Sequence, residues 1–415
     1  VEGASPVNKM VDHLFRHESG KMVAVLTKMV GIENIDVAQD IVQDTLLKAM
    51  RLWSFDRMPD NPPAWLYTVA KNKAIDFLRA RKAKNNISIE GLNNSTDPAE
   101  PDPFDESEIS DSLLRMIFAC CHPAIPEESQ IAMSLKTLCG LSVQDISRAF
   151  LTSEDTIAKR IYRAKEKIRQ EKILPEVPAA GSLTARLEVV LRVLYLMFNE
   201  GYNSSHPDQL IRKDICAEAM RLTHLLTLHH ATNLPAPNAL LALMCFQSSR
   251  FPSRIDANGN IITLRYQDRS HWNKSLIQKG RDYLDRASEG ASFTVYHLEA
   301  AIAALHASAP SFEETDWLTV YDLYKVLYSI NPSPVAALNK AIASSYAVGN
   351  ESALESLRKI KGLEKHHLYH AALGEVYRAL GNALEAEQHF QLAIDLTNSK
   401  AERQLLIRKI EDLQR

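Results

Sequence analysis

Apolar residues along this chain recur at three- and four-residue spacing, and strict alternation is almost missing, so helices are predicted nearly throughout. The clearest one opens after Asp36, an N-cap residue followed three positions later by Gln39. Val37, Ile41, Thr45, Leu46, Ala49 and Trp53 form its apolar face, which leaves Asp40, Gln43, Asp44, Leu47, Lys48 and Arg51 outside. Ser54 to Pro63 reads as a loop on its prolines, and a second helix is expected from Ala64, with Pro63 in the tolerated first-turn place. Leu66, Ala70, Ala74, Phe77 and Leu78 can face inward on it, while Trp65, Lys71, Asn72, Asp76 and Arg79 point outward.

The pattern then lapses. Residues 85 to 109 are rich in Asn, Ser, Pro and acid with little to bury, which predicts a mobile linker. A second helical domain is expected from about Asp111 to Lys172. Within it Ser142 and Asp145 have capping-box spacing at the head of a short helix that ends near Phe150. Thr152 or Ser153 can cap the next helix, and Glu154 and Asp155 suit its positive end. Ile157, Ile161, Ala164 and Ile168 make its buried stripe, and Thr156, Lys159, Arg160, Arg163 and Lys167 are assigned to the opposite side. Two short helices joined by a tight turn, the second basic, suit the DNA major groove. Guanidinium groups there fork onto guanine edges, and the remaining cations hold phosphates.

Pro175, Pro178 and Gly181 mark the next boundary, and from Ser182 the chain reads as helical, with a turn near Asp256-Ala257-Asn258-Gly259. Near the end, Leu373-Gly374, Tyr377, Ala386, Phe390 and Ala393 have tetratricopeptide spacing, with Asn398 where proline is usual. A weaker earlier copy holds Ile342-Ala343, Tyr346 and Gly349-Asn350. Such units bury their faces only by stacking, so 182 to 330 must supply neighbours.

Composition narrows the classes. The 415 residues call for two or three domains, and 46% hydrophobic with 24% charged residues is the balance of a soluble protein. No apolar run reaches membrane-spanning length, Val1 to Met10 lack a secretory pattern, and a cytoplasmic location is expected. Five cysteines fit a reducing compartment. Cys120-Cys121-His122 could be read as a metal cluster, but adjacent cysteines diverge on a helix and no second ligand pair follows, so no metal or other cofactor is expected. The net charge is −3, yet Lys71 to Lys84 and Lys159 to Lys172 are basic blocks, and no basic residue lies between Lys84 and Arg115. That distribution implies two separate contacts with polyanions.

Three of these stretches resemble a known family. VAQDIVQDTLLKA, from Val37 to Ala49, is similar to the polymerase-binding helix of extracytoplasmic-function sigma factors, the group 4 members of the sigma-70 family. It departs at Gln39, where Glu is usual, and at Met50, where Trp is usual. PAWLYTVAKNKAIDFLR, from Pro63 to Arg79, resembles the family's next block, and KRIYRAK, from Lys159 to Lys165, its promoter-binding end. The remainder resembles a subgroup with a long C-terminal extension, through Phe118-Ala119-Cys120-Cys121-His122-Pro123, Phe198-Asn199-Glu200-Gly201-Tyr202, Asp268-Arg269-Ser270 and Trp272.

The resemblance implies an all-α protein that is not an enzyme. Residues 1–84 would be sigma region 2, 85–110 an acidic linker, 111–175 the region 4 helix-turn-helix, and 182–415 a tetratricopeptide-like extension. It further implies that Asp40, Gln43, Asp44 and Lys48 dock on the β′ clamp helices of core RNA polymerase, with the β subunit as a further partner. Trp65, Lys71, Asn72, Asp76 and Arg79, with the loop from Phe55 to Pro62, would handle the −10 element of promoter DNA. Ser153, Thr156, Lys159, Arg160, Arg163 and Lys167 would serve the −35 element. The acidic linker would lie along the RNA path, and the extension would take a protein or peptide partner. The alternative is a stand-alone helix-turn-helix regulator with a tetratricopeptide-like sensor, which would not need the first domain. A catalytic reading of Glu200, His206, Asp208 and His229-His230 lacks a nucleophile–base pair or a phosphate loop.

Overall fold

The computed structural model describes residues 6–55, 58–84, 106–150, 152–203, 211–257, 259–290 and 293–413. Among them the architecture is helical, with one isolated antiparallel bridge, Ile255 to Ile261. The chain divides into two compact units, Val1–Leu196 and Met197–Arg415.

The first unit contains α1 (Pro6–Val30), α2 (Ile35–Phe55), α3 (Pro62–Lys84), α4 (Glu106–Cys120), α5 (Glu127–Thr137), α6 (Val143–Ala149), α7 (Glu154–Gln170) and the start of α8 (Ala180–Tyr202). On α2 the expected apolar face is buried from Ile41 to Trp53, while Val37 is half-buried. On α3, Leu66, Ala70 and Ala74 are fully buried. Every residue of α1 from Met22 to Thr27 is buried. A helix apolar on all sides needs cover on all sides. Here α2 and α3 supply one part of that cover and α4 another.

Two helix starts differ from the sequence expectation. Asp36 lies inside the first turn of α2, because a 3-10 turn over Ile32–Asn34 runs directly into that helix. Its carboxylate is engaged by Lys165 and Arg169 and does not cap. α4 begins at Glu106, within the stretch read as linker, with Glu106 and Glu108 in its positive first turn and Ile109 buried. The linker residues before it lie outside the described residues.

The Cys-Cys-His-Pro segment closes α4. The Ile125 amide and the Gln130 side chain both donate to the His122 carbonyl, at 2.9 and 3.0 Å. Cys120 and Cys121 are buried, Cys121 Sγ sits 3.7 Å from Ser134 Oγ, and burial pushes the Cys121 thiol up to about 12. Both cysteines are therefore inert core material.

The second unit continues α8 and adds α9 (Lys213–Leu228), α10 (Pro235–Ser249), α11 (Lys274–Ala287), α12 (Val295–Ser308), α13 (Trp317–Ile330), α14 (Pro334–Ala347), α15 (Asn350–Arg358), α16 (His367–Ala379), α17 (Ala383–Leu396) and α18 (Lys400–Leu413). α10 is buried almost end to end and packs on α9, α11 and α12. The segment between α10 and α11 turns at Gly259, whose φ of +81° favours glycine. Arg254 covers the Tyr202 ring at 3.9 Å, and Arg250 and Arg269 flank Trp272 at 5.5 and 5.1 Å. Arg269 also donates to the carbonyls of His306 and Ala309, at 2.5 and 2.7 Å. Arg269 of the Asp-Arg-Ser motif thus pins this segment to the end of α12. His206 and Asp208 lie outside the described residues, and His229 Nδ1 accepts from the Ala231 amide at the end of α9.

In the repeat, Leu373, Gly374, Tyr377, Ala386, Phe390 and Ala393 are all buried between α16 and α17. A Cβ on Gly374 would stand 2.5 Å from the Phe390 ring, so the small residue sets the closeness of the helix pair. The earlier copy forms α14 and α15, flanked by α13, and α18 packs on α17.

Candidate polymerase and nucleic-acid interface

Asp40, Gln43, Asp44 and Lys48 are all exposed on one side of α2. Leu47 lies among them, 51% exposed, next to Met50 at 37%. Asp44 pairs with Lys73 of α3 at 3.1 Å while keeping 67% of its side chain in solvent. The face is therefore acidic at its edges with an apolar centre, a composition that suits a protein partner.

On α3, Trp65, Asn72, Asp76 and Arg79 are spaced by seven, four and three, which puts them on one side. Asn72, Asp76 and Arg79 are exposed, and Lys71 is half-buried. Trp65 is half-buried with its ring edge-on to the buried Trp53, at 5.4 Å and 62°. The indole is fixed by that contact and keeps part of its surface free. In the preceding loop, residues 56 and 57 lie outside the described residues, and Met58 is 40% exposed.

The helix-turn-helix is built by its caps. Ser142 and Asp145 form the reciprocal capping box of α6, and Ser153 Oγ accepts from the Thr156 amide at 3.1 Å to cap α7. Ser153 and Thr156 hydroxyls also meet each other at 2.8 Å. Ile157, Ile161, Ala164 and Ile168 are the buried stripe of α7, as their spacing requires. The polar side divides. Lys159 and Arg163 are exposed, Lys159 bridging to Asp155 at 2.7 Å. Arg160 turns onto Glu128 of α5, at 2.5 Å, because it borders the buried stripe on the side that faces α5. Lys167 pairs with Glu171 at 3.2 Å near the far end of the helix. Tyr162, which is not among the cations that the sequence singles out, is 63% exposed beside Lys159 and Arg163. Its one sequence signal is an aromatic residue standing off the apolar stripe.

The C-terminal half of α7 meets α2. Lys165 donates to Asp36 and, at 2.7 Å, to Gln39, while Arg169 reaches Asp36 at 2.5 Å. Burial by itself would raise the Asp36 carboxyl, but hydrogen bonds and charge from Lys165 and Arg169 outweigh it and hold it below the ordinary value.

Comparison with known proteins agrees with this layout. The sigma-70 region 2 family model matches residues 14–84 and the sigma-70 region 4 model residues 115–168. A family of unknown function matches residues 186–288. An ECF RNA polymerase sigma-E factor of Haemophilus influenzae is 31% identical over 173 residues, 40% of this chain and 89% of that protein. The ECF RNA polymerase sigma factor SigE of Mycolicibacterium smegmatis is 27% identical over 160 residues, 38% of this chain and 60% of its own. An uncharacterized protein of Rhizobium meliloti is 37% identical over 373 residues, covering 89% of this chain and 88% of its own length. No solved structure matches the chain. A three-helix module with an exposed acidic and apolar face, followed by a helix-turn-helix, defines a sigma-type transcription initiation factor. The chain belongs to the extracytoplasmic-function RNA polymerase sigma factors and carries a helical C-terminal extension beyond their two regions.

Proposed function

We propose that this chain loads core RNA polymerase onto a specific set of promoters. Asp40, Gln43, Asp44 and Lys48, around Leu47, dock on the β′ clamp helices. Trp65, Lys71, Asn72, Asp76 and Arg79 hold the −10 element as it opens, by stacking, edge hydrogen bonds and phosphate attraction. Ser153, Thr156, Lys159 and Arg163 meet the −35 element, with Arg160 and Lys167 at the margins. Tyr162 adds an apolar surface suited to a thymine methyl. The assignment divides the chain at 1–84, 85–110, 111–175 and 182–415, and the last part acts as a regulator that takes a protein or peptide partner. Such a factor acts in the cytoplasm.

One observation carries this reading: the face of α2 keeps Leu47 and Met50 in solvent among acidic residues, on a module that the helix-turn-helix does not need for reading DNA. A stand-alone regulator would have no use for it. Run-off transcription with core polymerase lacking any sigma subunit, on the promoter of the chain's own gene, tests the reading. A specific transcript is expected. A footprint on duplex DNA without polymerase, and no transcript with it, would favour the stand-alone regulator.

A further inference from the structure

The second unit holds a groove that neither helix packing nor the sigma reading uses. It lies where the end of α13, the start of α14 and the end of α15 meet, and it has a volume of about 570 Å³. Pro332, Pro334, Ala337 and Ile360 line it with apolar surface, and Tyr328 adds an aromatic ring. Lys340, Lys359 and Lys361 line it too, and no carboxylate does. Ligand clefts of roughly 300–1,000 Å³ share this make-up, an apolar lining with a few placed polar groups.

The chain fixes the shape of this groove at its turns. Ser333 caps α14 by accepting from the Ala336 amide at 3.1 Å, and Pro334 takes the first-turn place that proline tolerates. The turn after α15 reverses at Gly362, whose φ is +86° and where a Cβ would stand 4.0 Å from Pro334 Cγ. Lys361, one residue earlier, is thereby carried to the start of α14. The Lys340 ammonium stands 4.3 Å from the centre of the Tyr328 ring, a contact that holds the charge in place without neutralising it. Lys359 pairs with Glu355 at 2.5 Å, but both side chains are 72% exposed, so that pair is weak and screened by salt. Among the described residues no carboxylate pairs with Lys340 or Lys361. One apolar cleft thus holds two uncompensated cations.

We infer that this groove takes an acidic segment of a partner protein, its carboxylates on Lys340 and Lys361 and an apolar side chain against Pro332, Pro334 and Ile360. Its regulatory meaning rests on the sigma reading above. A small inorganic anion would satisfy the lysines and leave the apolar lining unused. A nucleic acid presents a charge every roughly 1.7 Å of duplex and needs a long row of cations. Here Glu351 and Glu355 on α15 and Glu364 just after it are exposed, so the positive potential ends with the groove. A segment both acidic and apolar matches both halves of the lining. Ile330 and Val335, on either side of the Pro332–Pro334 turn in the chain, are 51% and 52% exposed and add apolar surface for such a partner to cover. The two prolines are already rigid, so binding there orders little of the host.

Random peptides displayed on phage and panned against the full chain test this, and a labelled enriched peptide then gives affinities by fluorescence anisotropy. Enriched sequences should carry acids beside an apolar residue, and rising salt should weaken their binding. Lys340→Glu and Lys361→Glu should each weaken it about tenfold or more, through like charges brought face to face. Lys340→Arg and Lys361→Arg should keep most of it, and Lys279→Glu, exposed on α11 and outside the groove, should change nothing. Lys340 is half-buried, so Lys361→Glu, at an exposed position, carries the test should Lys340→Glu melt early. No enrichment, enrichment without acids, or affinity indifferent to both glutamate variants overturns the groove. Full displacement of the peptide by an equal concentration of inorganic phosphate would reduce it to an anion cup. Tighter, lysine-dependent binding of random-sequence DNA would make it a nucleic-acid site, and either result also overturns the proposal. Run-off transcription with the same preparations keeps the two readings apart. A transcript without lysine-dependent peptide binding removes the groove alone. Lysine-dependent binding without a transcript removes the sigma reading and leaves the groove standing.

Discussion

Arg160 and Arg163 stand on one helix and carry the same charge, yet their surroundings give them different roles. The Arg160 guanidinium is held by Glu128 at 2.5 Å with 22% of its side chain exposed, whereas Arg163 is turned to solvent. Arg163→Ala should weaken binding of the polymerase–sigma complex to its promoter by about 1–3 kcal/mol and blunt its preference for the −35 sequence. Arg160→Ala should cost less affinity, with a small loss of thermal stability from an ion pair worth roughly 0–1 kcal/mol. Competition binding against a promoter with an altered −35 element measures both. Equal losses from the two variants would contradict the assignment. Leu47 offers a parallel test on α2. Leu47→Asp changes an exposed position, so the melting temperature should hold, while affinity for core polymerase should fall by about 2 kcal/mol if this residue anchors the interface.

At the scale of elements, caps and close approaches decide the fold. Ser153→Ala removes the acceptor for the Thr156 amide and should destabilise the first unit by about 1 kcal/mol, read by denaturant unfolding. Gly374→Ala drives a methyl into the Phe390 ring and should cost about 1–3 kcal/mol in the second unit, although alanine is the better helix former. These features were legible in the sequence because each is local. The capping box at Ser142, the stripe from Ile157 to Ile168 and the Gly374 and Phe390 pairing follow from spacing within a turn or a helix pair. What escaped depends on partners far along the chain. Glu128 draws Arg160 away from the exposed side of α7, and Lys165 meets Asp36 across 129 positions. Periodicity carries no trace of either. Nor could it place the start of α2, which the 3-10 turn over Ile32–Asn34 advances by two residues, from Val37 to Ile35. Nor does it mark Gly20, whose need for glycine comes from the Leu138 backbone, 118 positions along the chain.

For the whole molecule the formal charge is only −3, so the pH dependence of stability falls to buried groups more than to net repulsion. Burial lowers the pKa of His122 in the first unit and of His224, His297, His306, His366 and His389 in the second. His306 goes furthest, from 6.5 to about 4, with Arg250 and Arg269 adding to its burial. The folded chain keeps these rings neutral while the unfolded chain protonates them near 6.5, so stability is full above that value and falls as pH drops through it. For His306 alone the loss approaches about 3 kcal/mol by pH 4. The thiols act on the other side. Cys121, Cys216 and Cys245 are raised from 9.0 to about 12 by burial, so the unfolded chain gives up protons that the folded chain retains, and stability falls as pH rises past 9.0. The melting temperature should therefore be level between 6.5 and 9.0 and decline on both sides. Because most of the shifted histidines belong to the second unit, its transition should drop first on acidification. His306→Gln should shrink the fall between about pH 7.5 and 5, since it removes one proton taken up on unfolding. Calorimetric scans of both proteins at these two values decide the matter, and an unchanged fall in the variant would remove His306 from the account.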